Sequence, residues 1–174
     1  MRESDVEAVL DALRSGWLTM GPRIQSFEAA FAAYIGAAHA VAVSSGTAAL
    51  HLAVRTLAAG RVAVPVVGGN AAAAAVRAAG GEVVDWAATS DDDPAPDPDA
   101  LPACDTAVLV HPFGFRARSP ETAVPLIEDC RAALGLGVGR AGLAACWSFA
   151  DGRPLAMGEG GCVTTDDADV AARV

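Results

Sequence analysis

Residues 40–54 read AVAVSSGTAALHLAV, and this stretch decides the fold class. Its first five residues form a short apolar run typical of a buried strand, and the alanine- and leucine-rich residues after Gly46 and Thr47 favour a helix. A strand that passes directly into a helix indicates an α/β fold. The helix start presents free backbone N–H groups that suit a phosphate, although an ordinary helix cap explains Gly46 and Thr47 equally well.

The same alternation of strands and helices continues on both sides of this stretch. Apolar residues recur at helical spacing in residues 4–14 and 24–35, and an alanine-rich helix is predicted at residues 70–79. Further strands are predicted at residues 61–67, 82–86, 106–111, 124–129, 144–149 and 161–165. Because these strands read as continuous apolar runs, the sequence predicts an α/β fold, a three-layer sandwich with a mostly parallel sheet.

The composition excludes several classes of partner and location. The net charge of −9 would repel a nucleic acid or an anionic membrane surface, and no apolar run approaches the roughly 20 residues of a membrane span. The N-terminus carries no secretory signal, and 174 residues suit one domain. The four cysteines, Cys104, Cys130, Cys146 and Cys162, form no CxxC pair, so we expect core residues of a cytoplasmic protein. All twelve basic residues are arginine, and the chain has no lysine.

Candidate site residues gather where the predicted strands end. Ligands of open α/β sheets bind beyond the carboxyl ends of the strands, so residues 44–47, 111–114 and 148–153 should share one neighbourhood with Asp129. Asp129 could hold a cationic ring nitrogen, or it could cap the turn that follows. These strand ends are therefore the predicted ligand site.

Other candidate residues are better explained by structural roles. His51 and His111 are titratable candidates, but a lone histidine on a helix or beside a strand is more often structural. The glycines of residues 158–161 are predicted to form a turn. The acidic residues 89–100 predict a solvated loop, with calcium binding as the weaker alternative, and we assign no metal site.

Several separate segments together resemble one known family. The segments are SGWLTMGPRIQSFEAAFAAYIGAAHAVAVSSGTAALHLAV, HPFG, VPLIED, and SF followed by GEGGCVTT. In order and spacing they resemble the pyridoxal-phosphate sugar aminotransferases of the DegT/DnrJ/StrS group, which have the type I, or aspartate aminotransferase, fold. The resemblance implies that residues 1–174 are a large domain. It also implies that Gly46, Thr47 and Ser148 meet the cofactor phosphate and that Asp129 holds the pyridinium nitrogen.

The chain departs from this family at decisive positions. The Schiff-base lysine expected in SFADGRPLAMGEGG (148–161) is replaced by Arg153. The ring-stacking aromatic residue corresponds to Gly69 or a neighbour, and a glutamine three residues beyond Asp129 corresponds to Ala132. Family members are about twice as long, so we expect a truncated large domain without the small C-terminal domain.

The missing lysine decides the functional expectation. Arginine stays protonated and is a poor nucleophile, so it cannot bond covalently to an aldehyde cofactor. We therefore expect no catalytic residue and no cofactor, except pyridoxal or pyridoxamine phosphate held non-covalently. The sequence predicts a degenerate, non-catalytic or repurposed subunit of a sugar or secondary-metabolite pathway.

The sequence leaves two alternative functions open, and the resemblance also implies an assembly. The old pocket could bind an anionic small molecule through Arg153 and Thr47, with Asp129 or His111 moving protons. Alternatively, a partner chain could contribute the lysine. The resemblance implies a homodimer, or a heterodimer with an active relative, with the first helix and residues 17–22 at the contact.

Overall fold

The computed structural model describes residues 2–57, 60–90 and 92–174. The helices are α1 (Glu3–Ser15), α2 (Pro22–Ile35), α3 (Gly46–Leu57), α4 (Asn70–Ala78) and α5 (Ala168–Arg173). The strands are β1 (His39–Val43), β2 (Arg61–Pro65), β3 (Glu82–Trp86), β4 (Thr106–Val110), β5 (Leu126–Asp129), β6 (Ala144–Ser148) and β7 (Gly161–Thr165). Single 3₁₀ turns lie at Pro98–Ala100 and Pro112–Gly114.

The seven strands form one sheet in the order β1-β7-β6-β5-β4-β2-β3. Strand β7 is antiparallel to both of its neighbours, and all other neighbouring pairs are parallel. The prediction of a mostly parallel α/β sheet is confirmed. Strands β2 and β5 are each two residues shorter than predicted, and β4 and β6 are each one residue shorter. Strand β2 ends at Pro65 and β5 begins after Pro125, and proline offers no N–H to a ladder.

Helices α3, α4 and α5 cover one face of the sheet. Leu50, Val76 and Val170 from these helices pack with alternate strand residues such as Val108 and Cys146 in one buried cluster. Alanines at the helix surfaces, among them the fully buried Ala49 and Ala53, allow close approach to the sheet. This face therefore has the regular helix-on-sheet packing that the sequence predicts.

The opposite face is covered differently. Helix α2 packs there through Phe31, whose ring lies edge-on to Trp147 at 5.6 Å and to Phe149 at 5.3 Å between centroids. Residues 111–125 and 130–143, which link β4 to β5 and β5 to β6, contain no α-helix. Parallel crossovers usually carry a helix, so these two connections cover the sheet with irregular chain instead.

Helix α1 forms as predicted but buries none of its residues. Val9 and Leu13 are each more than half exposed, as are Trp17 and Met20 in the following loop. None of the described helices combines the length and the apolar character that crossing a bilayer requires. The four cysteines are free thiols, and the prediction of core residues is confirmed for the buried Cys130, Cys146 and Cys162, whereas Cys104 is half-buried. Burial raises the pKa of Cys162 to about 12.

Candidate functional site

The carboxyl edge of the sheet brings several predicted site residues together. Strand β1 leads into the start of α3, β5 ends at Asp129, and β6 ends at Ser148. A Cβ atom at Gly46 would lie 2.5 Å from Cβ of Ser148 and 2.9 Å from Cδ of Arg131. Only glycine allows this approach, so Gly46 is required by the contact between α3 and the end of β6.

Asp129 is held by an arginine that the sequence analysis did not single out. Arg131 donates from Nε to Oδ1 and from Nη2 to Oδ2 of Asp129, each at 2.7 Å. Both side chains are shielded from solvent, with exposed fractions of 3% for Asp129 and 18% for Arg131. Burial lowers the pKa of Arg131, but the hydrogen bonds and charge of Asp129 outweigh it and raise that pKa overall. This edge of the sheet thus contains a bidentate ion pair that is shielded from solvent.

The Asp-x-Arg spacing was the available signal for this pair. Asp129 Oδ1 also accepts the backbone N–H of Arg131 at 3.2 Å, which supports the alternative that Asp129 caps the turn after β5. This turn directs the arginine side chain back over the strand end. The same spacing occurs in many exposed turns, so the sequence alone does not predict burial of the pair.

The start of α3 also favours the helix-cap alternative. Ser45 Oγ accepts the backbone N–H of Ala48 at 3.1 Å, whereas the neighbouring Thr47 is exposed to solvent. Ser45 therefore satisfies one of the free N–H groups that a phosphate could otherwise bind.

Arg153 lies in a turn between β6 and β7. Its backbone N–H donates to the carbonyl of Ala150 at 3.2 Å, and its side chain is half-buried. Among the described carboxylates, none forms a salt bridge with Arg153. Gly158 has a φ of +85°, so a glycine forms the predicted turn before β7.

His111 is not available in this cleft. It follows β4, but successive strand residues point to opposite faces, and His111 and Glu128 lie on the face away from Asp129. His111 Nδ1 accepts the N–H of Ala117 at 3.0 Å, so Nε2 carries the proton and donates to Glu128 Oε2 at 3.1 Å. The expectation that residues 111–114 share the Asp129 neighbourhood is wrong for the His111 side chain.

Glu128 is part of a fully hydrogen-bonded cluster. Backbone N–H groups of Gly139, Ala141 and Gly142 also donate to its carboxylate, at 2.6 to 3.0 Å. Burial raises the pKa of Glu128, but these bonds and the one from His111 outweigh it and lower that pKa.

His111, Glu128 and Cys130 form the one group of three potential metal ligands within the described part of the chain. Burial raises the pKa of the Cys130 thiol well above its ordinary value, which disfavours the thiolate that binds metals. Since the Glu128 oxygens already accept four hydrogen bonds, we assign no metal here.

Comparisons with known proteins identify the family. A sequence profile of the DegT/DnrJ/EryC1/StrS aminotransferase family matches residues 1–174. The chain belongs to this family. Among its DegT relatives, the spore coat polysaccharide biosynthesis protein SpsC of Bacillus subtilis is 31% identical, over 99% of this chain and 49% of that protein. The 3-amino-5-hydroxybenzoate synthase of Amycolatopsis mediterranei is 33% identical, over 96% of this chain and 48% of that protein.

A solved structure confirms the fold of this DegT-family chain. DesV from S. venezuelae, in complex with a ketimine intermediate, has a TM-score of 0.85 at 34% identity, over 96% of this chain and 50% of that one. The type I pyridoxal-phosphate transferase fold is thereby confirmed. The chain spans about half the length of the curated relatives that it matches.

The DegT family implies pyridoxal phosphate, and the residues of this chain do not fit a covalently held cofactor. The chain has no lysine, and both carboxylate oxygens of Asp129 are bonded to Arg131. At the predicted stacking position, a Cβ on Gly69 would overlap the carbonyl oxygen of Pro65 and lie 2.7 Å from Val64 Cγ1. Gly69 therefore cannot be replaced by an aromatic ring without moving β2.

Proposed function

We propose that this DegT-family domain does not transaminate with its own residues and acts as a non-catalytic or repurposed subunit in sugar or secondary-metabolite biosynthesis. The observation that carries the proposal is Arg153 at the lysine position of a chain without lysine. The pathway class is supported by relatives named for spore coat polysaccharide biosynthesis and for 3-amino-5-hydroxybenzoate synthesis.

The chemistry of arginine supports this proposal. A covalent bond to an aldehyde requires an amine that can lose its proton and attack carbon. A guanidinium remains protonated at any biological pH, and its charge is delocalised over three nitrogens. Arg153 therefore offers positive charge and hydrogen bonds to an anion, but it offers no nucleophile.

The Asp129–Arg131 pair adds a second obstacle that is independent of Arg153. By family resemblance, the Asp129 carboxylate would face the pyridinium nitrogen of the cofactor. Arg131 satisfies both oxygens of that carboxylate at 2.7 Å, and its side chain lies against Gly46 beside Ser148. A cofactor ring would have to displace a buried, charge-assisted pair, so we expect non-covalent binding to be weak as well.

A four-protein comparison tests both obstacles. The set is the unaltered chain, Arg153→Lys, Arg131→Ala, and the double variant, each mixed with pyridoxal phosphate and reduced with borohydride. We expect no adduct at residue 153 in the unaltered chain, little in Arg153→Lys, and the most in the double variant. Mass spectrometry of digested protein locates the adduct, and Arg173→Lys on α5 controls for surface lysines that react non-specifically.

The outcomes separate the two obstacles. A covalent adduct on a side chain of the unaltered chain, as opposed to its N-terminal amine, or transamination by it alone, would contradict the proposal. If Arg153→Lys alone were fully modified, without Arg131→Ala, the missing lysine would be the whole obstacle. The Asp129–Arg131 pair would then not hinder cofactor binding. Circular dichroism checks the fold of each variant, and Arg131→Gln replaces Arg131→Ala if the alanine variant unfolds.

The proposed assembly is a homodimer or a heterodimer with an active family member. It is supported by the apolar side chains of α1 and of residues 17–20, which are largely exposed. Size-exclusion chromatography with light scattering, alone and after co-expression with a full-length relative, measures it. A protein that stays monomeric alone and forms no complex with any co-expressed relative would contradict this part of the proposal.

One observation favours a second function, the binding of an anionic small molecule in the same cleft. Arg153 pairs with none of the described carboxylates, and Thr47 is exposed. Arg131 occupies both carboxylate oxygens of Asp129, so a ligand would have to displace Arg131 to reach that carboxylate. Turnover that is lost in Asp129→Asn, with the fold intact, would favour the alternative over the non-catalytic proposal.

A further inference from the structure

A second cleft lies on the face of the sheet opposite α3. Its volume is about 500 Å³, and it opens between the two connections that contain no α-helix. Leu109, His111 and Glu128 form its floor, and residues 116–119 and 137–141 form its walls. None of Gly46, Asp129 and Ser148 contributes to its lining, so this cleft is distinct from the inherited cofactor site.

The floor of this second cleft carries one negative charge, on Glu128, and the hydrogen bonds of that carboxylate are all made within the protein. Glu128 is its one acidic lining residue, and both carboxylate oxygens accept hydrogen bonds from His111 and from backbone N–H groups of residues 139–142. His111 is a neutral donor, since its Nδ1 accepts from Ala117. The loop approaches closely because Gly139, at a φ of +94°, has no Cβ to strike Trp147. Both Glu128 oxygens are therefore already engaged within the protein, and neither is left without a hydrogen-bond partner.

The walls of this cleft carry three of the twelve arginines of an acidic chain: Arg116, Arg118 and Arg140. Arg118 and Arg140 form salt bridges with Asp99 and Asp166 at 2.7 and 2.8 Å, but these pairs are exposed, so exchanging the partner costs little. Arg116 forms no salt bridge with any carboxylate in the described ranges. Three arginines thus line the cleft, and Arg116 is the one of them that pairs with no described carboxylate.

We propose that this cleft binds a small molecule that carries a phosphate group. Guanidinium groups bind phosphate oxygens in pairs, and several of them together favour a doubly charged group over a single carboxylate. The volume lies within the range of small-molecule sites, and Leu109 and Val138 supply apolar surface for the body of the ligand. The Ser119 hydroxyl in the wall is a further donor. This inference does not depend on the proposed function.

Amide chemical shifts measured during a titration with inorganic phosphate, at constant ionic strength, test the assignment. We expect saturable shifts in residues 116–119 and 137–141. Arg116→Gln should weaken binding about tenfold, as expected for the loss of a charge-assisted bond. Arg116→Gln/Arg140→Gln should weaken it further. Arg173→Gln removes the same charge from α5 on the other face of the sheet and should leave the affinity unchanged.

Three outcomes would overturn this inference. Shifts confined to residues 45–48 and 148–153 would place the phosphate in the cofactor cleft. Equal affinity for succinate at the same ionic strength would remove the preference for phosphate. An equal loss of affinity in Arg173→Gln and Arg116→Gln would indicate general charge attraction rather than a site.

Discussion

Glu128 and Asp129 are neighbours in sequence, both are buried, and their charges are stabilised in different ways. Glu128 receives its hydrogen bonds from His111 and from three backbone N–H groups of the 139–142 loop. Asp129 depends on one side chain, Arg131, two residues away. The fold itself builds the environment of Glu128, whereas one substitution can change that of Asp129. A single substitution, at Arg131, can therefore change the charge around Asp129, whereas no single substitution removes the backbone donors around Glu128.

The largest expected effect is on Glu128. Glu128→Ala leaves two buried donors, from His111 and Gly139, and two partly buried backbone N–H groups unpaired, so we expect a loss of about 3–5 kcal/mol in the free energy of unfolding. Urea denaturation followed by circular dichroism measures it. Glu82→Ala removes an exposed carboxylate whose bridge to Arg61 is 3.8 Å long and should change stability by less than about 0.5 kcal/mol. Equal effects of the two substitutions would contradict the role given to Glu128.

A smaller loss is expected at Arg131. Arg131→Ala leaves Asp129 buried without its counter-charge, but solvent reaches the partly exposed site, so we expect about 2–3 kcal/mol. Asp129→Asn in the same chain removes the unpaired charge and should restore more than half of the loss. A double-mutant cycle in urea measures the coupling. If the double variant is no more stable than Arg131→Ala, the cost does not come from an unpaired Asp129.

Most of the fold was predictable from local pattern, while the site was predictable only in outline. The sequence predicted that Gly46, Asp129 and Ser148 lie at one edge of the sheet, because the carboxyl ends of parallel strands meet at the same edge. Helix α5 was missed, although Asp167 precedes it and accepts N–H groups of Asp169 and Val170 as its cap.

The Arg131 pair and the second cleft were not predictable in the same way. Which face Glu128 or His111 occupies follows from strand alternation once the strand is aligned in the sheet. The partners that fill each site come from distant loops, such as residues 137–142 over Glu128, and their approach depends on the whole packing. Periodicity carries no information about such contacts.

The stability of the Glu128 site should depend on acid pH. Because folding lowers the pKa of Glu128, the unfolded chain binds the proton first as the pH falls. Its stabilisation is therefore complete above the ordinary glutamate pKa of about 4.3 and is lost as the pH falls through the lower pKa of the folded state. Thermal unfolding from pH 6 to pH 3 should show a shallower decline in Glu128→Gln than in the unaltered chain. Parallel pH profiles for the two proteins would contradict the assignment.

The smallest expected effect distinguishes helix capping from ligand binding at the start of α3. Ser45→Ala removes the acceptor for the Ala48 N–H and should cost about 1 kcal/mol in the free energy of unfolding without any ligand. Thr47→Ala removes an exposed hydroxyl and should cost less than about 0.5 kcal/mol, measured in the same urea series. If Thr47→Ala proved the more costly of the two, Thr47 rather than Ser45 would be the cap. Ser45 would then be the residue free to meet an anion, on the Asp129 side of the sheet.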